Sequence, residues 1–461
     1  MHTTHKRAKL QQSLTQKFRQ ETTPHTFFNL LTSAELLSVV EDSLPEHRER
    51  CFPPTETLSM FLAQAMNADR SCQNIVNEAA LTRAFYGMSP CSSNTGSYCK
   101  ARRRLPASMV SGLVRHTGKH MAETAPMSWH WNGRPVRLID GTTVELPDTD
   151  ENKQAYPQTS KGSGCPLSRI VGILCLASGG LLNAAIGPFS GKGSGEQTLL
   201  RTMLDTFAAG DIVLGDAYYS TYFLLAALTA RQVDAVFEQY GARKKGVDFG
   251  KGEKLGKKDH LITYEKPKIK PSWMSQEDYD SAPKTLTVRE LEVGHKILVT
   301  TLLSPKTACR KSLKDLYQQR WHVELDLRNI KTTLGMEILS CKTPDMIEKE
   351  IWIYLLAHNL IRMTMAEAAS ISAVLPRQLS FKHSLQLWRI WRQQAGNLDD
   401  HESLSLLLQL IIEKTVGQRP GRVEPRAVKR WRKSFPLLTK SRSIMRAEIK
   451  KIRPSKKTKI T

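Results

Sequence analysis

The residues best placed to do chemistry gather in the segment YQQRWHVELDLRNIK, residues 317–331. Drawn as a helix at about 100° per residue, Arg320, Glu324 and Lys331 fall within about 60° of Tyr317, and Arg328 joins them. Leu316, Val323, Leu327, Ile330 and Leu334 form an apolar stripe beside that polar one. Glu324 is therefore expected at the rim of a rigid helix, where a metal ligand must stand. Asp326 points about 180° away and reads as a solvated surface acid, while His322 lies near +140°, off the same face.

Two aspartates end apolar runs. Asp140 follows VRLI and Asp216 follows DIVLG. Either one alone reads equally well as a turn former after a strand. A carboxylate at the end of a buried strand is costly unless something cationic meets it. With Glu324 they make a set of hard oxygen ligands suited to Mg²⁺ or Mn²⁺. Two such ions can activate a water or a 3′-hydroxyl and stabilise the leaving oxygen of an in-line displacement at phosphorus.

The elements that must position these groups follow from the pattern upstream. From Trp129 strands and helices alternate: VRLID with TTVEL as one strand, RIVGILCLAS and LLNAAIGPF as a hairpin turning at Gly179-Gly180, then EQTLLRTMLDTF as a helix. DIVLGD, YFLLAALTARQ and DAVFEQY read as strand, helix and strand. Three antiparallel strands, helix, strand, helix, strand is the order of a ribonuclease H-like α/β core, a topological analogy only. TLTVRELEV and HKILVTTLL read as strands of an insertion, preceded by a Gly/Lys-rich loop, before helix resumes at Ser312 and runs to about Gly335.

Before Thr124 the chain is helix-like, as in FFNLLTSAELLSVV and TETLSMFLAQAM. QNIVNEAALTRAF and TGSYCKARRRL flank a turn-rich stretch and suit a helix-turn-helix reader ending in Arg102, Arg103 and Arg104. A plain bundle with a basic face fits that pattern equally.

With 67 Lys and Arg against 44 Asp and Glu, the net charge of +23 favours a polyanionic partner, most simply nucleic acid. The Ile170–Phe189 run is broken by Gly, Asn and Pro and does not read as a membrane span, and MHTTHKRAKLQQ lacks a signal-peptide core. No membrane partner is expected, and the location is expected to be cytoplasmic, at the nucleoid when DNA is bound. The eight cysteines have no C-x-x-C pairing and read as reduced thiols. The Gly191–Gly195 run lacks Walker spacing, and Ser194 or Glu196 is expected to cap the next helix. Tyr218 and Tyr219, beside Asp216, could stack on a base, though they read first as packing aromatics.

The spacing Tyr317, Arg320, Glu324, Lys331 resembles the signature of the insertion-sequence-four family of DDE transposases. The regions DGTTVELPDTDENKQAYPQ, GDAYYSTYFLLAALTARQVD and GRVEPRAVKRW look similar to the same family. The resemblance implies an α/β, ribonuclease H-like catalytic core with a β-rich insertion between the second aspartate and the glutamate. It implies Asp140, Asp216 and Glu324 as the catalytic and metal-binding triad for two Mg²⁺ or Mn²⁺ ions, and Tyr317, Arg320 and Lys331 as DNA-binding residues. The partners implied are terminal inverted repeats and target DNA, with a homodimer in the synaptic complex. HKILVTTLL carries no Trp where some relatives stack a flipped base, and Trp273, further upstream, reads as a packing residue.

The expected organisation is a helical DNA-binding domain at 1–125, the first part of the core at 126–240, the insertion at 241–305, the second part with the Glu helix at 306–390, and a basic C-terminal region at 391–461. The alternative function is a catalytically inactive, transposase-derived DNA-binding protein. The intact acidic trio weighs against it.

Overall fold

The run VRLIDGTTVE is rich in apolar residues in its first half, and it becomes strand β1 (Val136–Glu145), with its first four residues buried. A strand covered on both faces also needs partners on both edges. In the computed structural model β1 pairs antiparallel with β2 (Leu167–Cys175) and parallel with β4 (Ile212–Gly215). β3 (Leu181–Pro188) flanks β2, and β5 (Asp234–Glu238) lies parallel to β4. The order of elements expected from the sequence is thus observed. The structure describes residues 52–157, 165–394, 400–417 and 442–452, apart from 86, 88–90 and 192. The helix expected over FFNLLTSAELLSVV and the motif GRVEPRAVKRW lie outside the described residues.

The two strands expected in the insertion are joined by two more, formed within and after the stretch read as a Gly/Lys-rich loop. β6 (Glu253–Gly256), β7 (Asp259–Glu265), β8 (Thr285–Val293) and β9 (Lys296–Thr300) extend the same sheet through β9, which pairs with β5. The nine strands run β3-β2-β1-β4-β5-β9-β8-β7-β6.

Four helices precede the sheet: α1 (Pro54–Met66), α2 (Cys72–Phe85), α3 (Thr95–Arg104) and α4 (Ala107–Glu123). Between strands come α5 (Asp150–Ala155), α6 (Glu196–Arg201), α7 (Tyr222–Ala230), α8 (Gly241–Lys245) and α9 (Gln276–Ser281). After the sheet follow α10 (Arg310–Gln318), α11 (Trp321–Arg328), the long α12 (Pro344–Ser370), α13 (Phe381–Gln394), α14 (Asp400–Ile412) and α15 (Arg442–Ile452). No helix among the described residues is long and apolar enough to cross a membrane.

α1, α4, β1 and α12 share one hydrophobic cluster, so the first helices are bound to the core rather than tethered to it. Asn359 of α12 secures the arrangement. Its side chain accepts from Leu181 N at 2.7 Å and donates to Leu181 O, Val114 O and Thr117 Oγ1, tying α12 to β3 and α4.

Three sequence readings need correction. The helix expected from Ser312 to Gly335 is not uniform. It tightens at Gln319–Arg320, where amides bond three residues back (Gln319 N to Leu316 O at 2.9 Å, Arg320 N to Tyr317 O at 3.1 Å), and it widens into a π turn over Asn329–Thr333. Arg102 is not a free basic group on α3. Its buried guanidinium stacks on Phe61 and Tyr98 and donates to Gln64 and Cys72, leaving Arg103 and Arg104 exposed.

Asp326, finally, is fully buried rather than solvated. Arg362 and Arg377 each donate to one of its oxygens, and their charges hold its carboxyl below the usual range against the cost of burial. Arg377 also donates to Leu176 O and Cys175 O. Arg362 packs on Gly179, which takes φ 81° in the β2–β3 turn, and a Cβ there would lie 2.8 Å from the Arg362 Nε.

Removing the anion strands two buried cations. Asp326→Ala is expected to cost about 3–5 kcal/mol in denaturant unfolding, and a loss below about 1 kcal/mol would show that water screens the cluster. A second expectation concerns acid. Burial first, then the nearby Arg362 charge, hold the fully buried His358 down at about 4, against 6.5 when free. Between those values the unfolded chain binds the proton and the folded chain does not, so stability falls as pH drops from 6.5 towards 4. The contribution lost is on the order of 3 kcal/mol. Stability measured against pH should be flatter across that window in His358→Gln, and identical slopes would sink this assignment.

Candidate active site

The parallel register of β1 and β4 aligns Leu138 with Leu214. Asp140 and Asp216 each stand two residues further on, so adjacent strands deliver both carboxylates side by side at the same edge of the fold. Asp140 is still paired within β1, opposite Gly172 of β2, which holds its backbone. Asp216 has left β4 and caps the 3-10 turn Ala217–Tyr219, its Oδ1 accepting from Tyr218 N at 2.8 Å. Asp140 Oδ1 accepts from Gly141 N at 2.8 Å.

Burial pushes the half-buried Asp140 carboxyl up to about 6. The Gly141 amide opposes that shift, the Asp216 charge adds to it, Arg320 opposes it and Glu196 adds to it. Three carboxylates and one guanidinium are thus near enough for their charges to act on one another.

α11 lies against β1 and brings Glu324 to the same region. Arg320 Nη2 meets Glu324 Oε1 at 2.7 Å, a half-buried i,i+4 pair. Tyr317, on the preceding α10, is buried, with Lys296 Nζ 5.3 Å from its ring centre. Burial raises its hydroxyl well above the ordinary tyrosine value, opposed by Arg320 and reinforced by Glu238 and Asp216. Tyr317 thus borders both Arg320 and the Asp216 side. Lys331 sits half-buried in the π turn, and among the described residues no ion pair holds its ammonium.

The structure therefore brings together Asp140, Asp216, Arg320 and Tyr317, and sets Glu324 against Arg320. Among the described residues no hydrogen bond or ion pair joins Lys331 to them. The tightened turn and the π turn both change the angle per residue that a regular helical wheel assumes. Among the described residues no group of three or more His, Cys, Asp or Glu side chains is already arranged to hold a metal ion. The oxygens nearest to that role are those of Asp140 and Asp216.

Two neighbours escaped sequence reasoning. Tyr219 is fully buried as expected of a packing aromatic, but Tyr218 is 44% exposed beside Asp216. Glu196, read as a helix cap, does not cap: the N-cap of α6 is Gly195, without a side-chain bond, and Ser194 donates to Gly191 O instead. Glu196 lies over Gly141. No local motif marks that approach, since it depends on how α6 folds back on β1. Trp273, partly exposed, carries the Arg201 guanidinium 3.3 Å above its ring.

The chain is similar to known transposases. The Transposase DDE domain family matches residues 131–360, from just before β1 into α12. The chain is 30% identical over 296 residues to the transposase InsG of insertion sequence element IS4 from Escherichia coli K12, covering 62% of this chain and 64% of that protein. It is 29% identical over 136 residues to the putative transposase InsZ of the same organism, 29% of this chain and 44% of that one. The match therefore spans less than two thirds of either relative. Among solved structures, a cryo-EM structure of the piggyBac transposase synaptic complex with hairpin DNA aligns with a TM-score of 0.41 at 11% identity, over 88% of each chain. By its family match over residues 131–360 and its kinship with the IS4 transposase, the chain carries a DDE transposase domain.

Proposed function

We propose that this protein is the transposase of an insertion sequence: it binds terminal inverted repeats, cleaves DNA at their ends and joins those ends to target DNA. The observation that carries this reading is the pairing of β1 with β4, which sets Asp140 beside Asp216 with Arg320 and Glu324 alongside. The strand order β3-β2-β1-β4-β5 supports a ribonuclease H-like core, with residues 241–305 as an insertion continuing its sheet. The segment boundaries at 125, 240, 305 and 390 serve as working domain limits on this reading.

The donors suit a hard divalent cation. All three acids offer oxygen, and burial beside like charge lifts the Asp140 carboxyl, a strain that a cation relieves. Asp140, Asp216 and Glu324 would hold two Mg²⁺ or Mn²⁺ ions. When bound, such ions lower the pKa of water and neutralise charge building on a phosphorus centre.

The chain's own groups do the remaining work. Strand pairing fixes the two aspartates before substrate arrives, so little reorganisation is needed at the moment of reaction. Arg320, the Glu324 partner, presents a planar fork suited to two oxygens of a phosphate. Tyr317 gives that fork a buried wall, and Lys331 adds a point charge along the strand. The net charge of +23 draws DNA to the surface, as befits a protein engaging two ends in a homodimeric complex.

Two outcomes are expected from purified protein with end DNA and Mg²⁺ or Mn²⁺. Asp140→Asn, Asp216→Asn and Glu324→Gln should each lose cleavage by at least about a hundredfold, since metal stabilisation is worth several kcal/mol. Gel-shift affinity for the ends should hold or rise, because negative charge has been removed. Full cleavage by any of the three removes that residue from the site. Tyr317→Ala, Arg320→Ala and Lys331→Ala should instead slow cleavage and joining in graded fashion at saturating Mn²⁺, and Arg320→Lys should not restore the rate. Unmodified rates for both Arg320→Ala and Lys331→Ala would end the strand-positioning reading.

A further inference from the structure

Glu196 opens α6, where a carboxylate suits the positive end of the helix, but it makes no capping hydrogen bond to that helix. It reaches across to the backbone that follows Asp140. A Cβ on Gly141 would lie 2.4 Å from Glu196 Cδ and 2.6 Å from Oε1, so the glycine is what leaves room for the acid. The buried Tyr219 donates from its hydroxyl to Glu196 Oε2 at 3.3 Å, linking the acid to the turn that follows Asp216. Glu196 thus reaches the backbone just after Asp140 and the side chain of Tyr219, three residues after Asp216.

The cation nearest to hand does not satisfy it. Arg169 Nε stands 4.0 Å from Oε1, beyond hydrogen-bond distance, while Arg169 Nη1 is engaged by Ser194 O at 2.6 Å. Glutamine would accept the same bond from Tyr219 without carrying a charge. A third negative charge beside two others is an electrostatic cost. That cost is relieved if the three together hold positive charge. Arg320 already offsets the charge of Glu324 on the far side.

We propose that Glu196 is a fourth acidic member of the divalent-cation centre, acting on the Asp140 side, as ligand or as acceptor for ion-bound water. This rests on the transposase reading above. It makes Gly141 a positioning residue whose missing side chain is required.

The test is Mn²⁺ binding by the full-length protein in calorimetry, beside the Mn²⁺ dependence of end cleavage. Glu196→Gln keeps the acceptor for Tyr219 and removes only charge. Gly141→Ala keeps every carboxylate and displaces Glu196. Asp140→Asn is the reference. Both new variants are expected to weaken Mn²⁺ binding by about tenfold or more, as losses near a metal's ligands do, and to raise the Mn²⁺ needed for half-maximal cleavage. The unfolding midpoint of Glu196→Gln should hold or rise, because repulsion is relieved. If Asp140→Asn weakens Mn²⁺ binding while Glu196→Gln and Gly141→Ala both bind as the unmodified protein does, the inference about Glu196 is overturned and the transposase reading stands. If Asp140→Asn itself leaves binding and cleavage unchanged, that reading fails. Should Glu196→Gln lower the unfolding midpoint, Gly141→Ala decides: unaltered Mn²⁺ dependence there would make Glu196 merely structural.

Discussion

A carboxylate with no access to water is the constraint on which this architecture turns. Asp326 lies on α11 two residues beyond Glu324, on the inward side, and its two arginines come from α12 and from the turn before α13. Desolvating an ion pair costs several kcal/mol per ion, and the cost is recovered only when geometry and extra hydrogen bonds are good. Here the extra bonds are Arg377 to the carbonyls at the end of β2, and the packing of Arg362 on the glycine turn between β2 and β3. The inner face of α11 is thereby joined to the sheet end beside it. Its outer face, with Glu324 and Arg320, inherits that fixed position.

A second kind of rigidity serves the aspartates. They need no ion cluster, because main-chain pairing already specifies where they stand. Parallel strands with both faces covered leave little slack for a slip in register. Asp140 and Asp216 are brought together at the cost of mutual repulsion, and their hydrogen bonds to the Gly141 and Tyr218 amides recover part of it. Function and stability therefore pull against each other at the strand ends, whereas they cooperate at Asp326.

Much of this was legible in the chain itself. Asp140 and Asp216 could be found because the runs before them are apolar and short, and the Tyr317–Lys331 spacing is informative without any fold. The order of strands and helices through Glu238 followed from changes in period. What was not legible depends on partners far off in sequence. Asp326 pairs with arginines 36 and 51 residues away, so a local wheel could only assign it to solvent. Arg102 is hidden by Phe61 and Gln64 of another helix. Glu196 declares itself only through the space above Gly141. The tightened and widened turns around α11 arise from packing and carry no glycine or proline to announce them.

The continuation of the sheet through β5 and β9 decides where the sheet ends. Without residues 241–305, β5, whose central Ala235, Val236 and Phe237 are buried, would present a bare line of amides and carbonyls. Such an edge is a template for pairing with another chain. With the added strands the border moves out to β6, four residues long and mostly exposed, with Glu253 and Lys254 upon it. The opposite border, β3, closes on Pro188, which has no amide to offer. Both borders are thus short, charged or proline-ended, and the protein is kept from gathering copies of itself strand to strand.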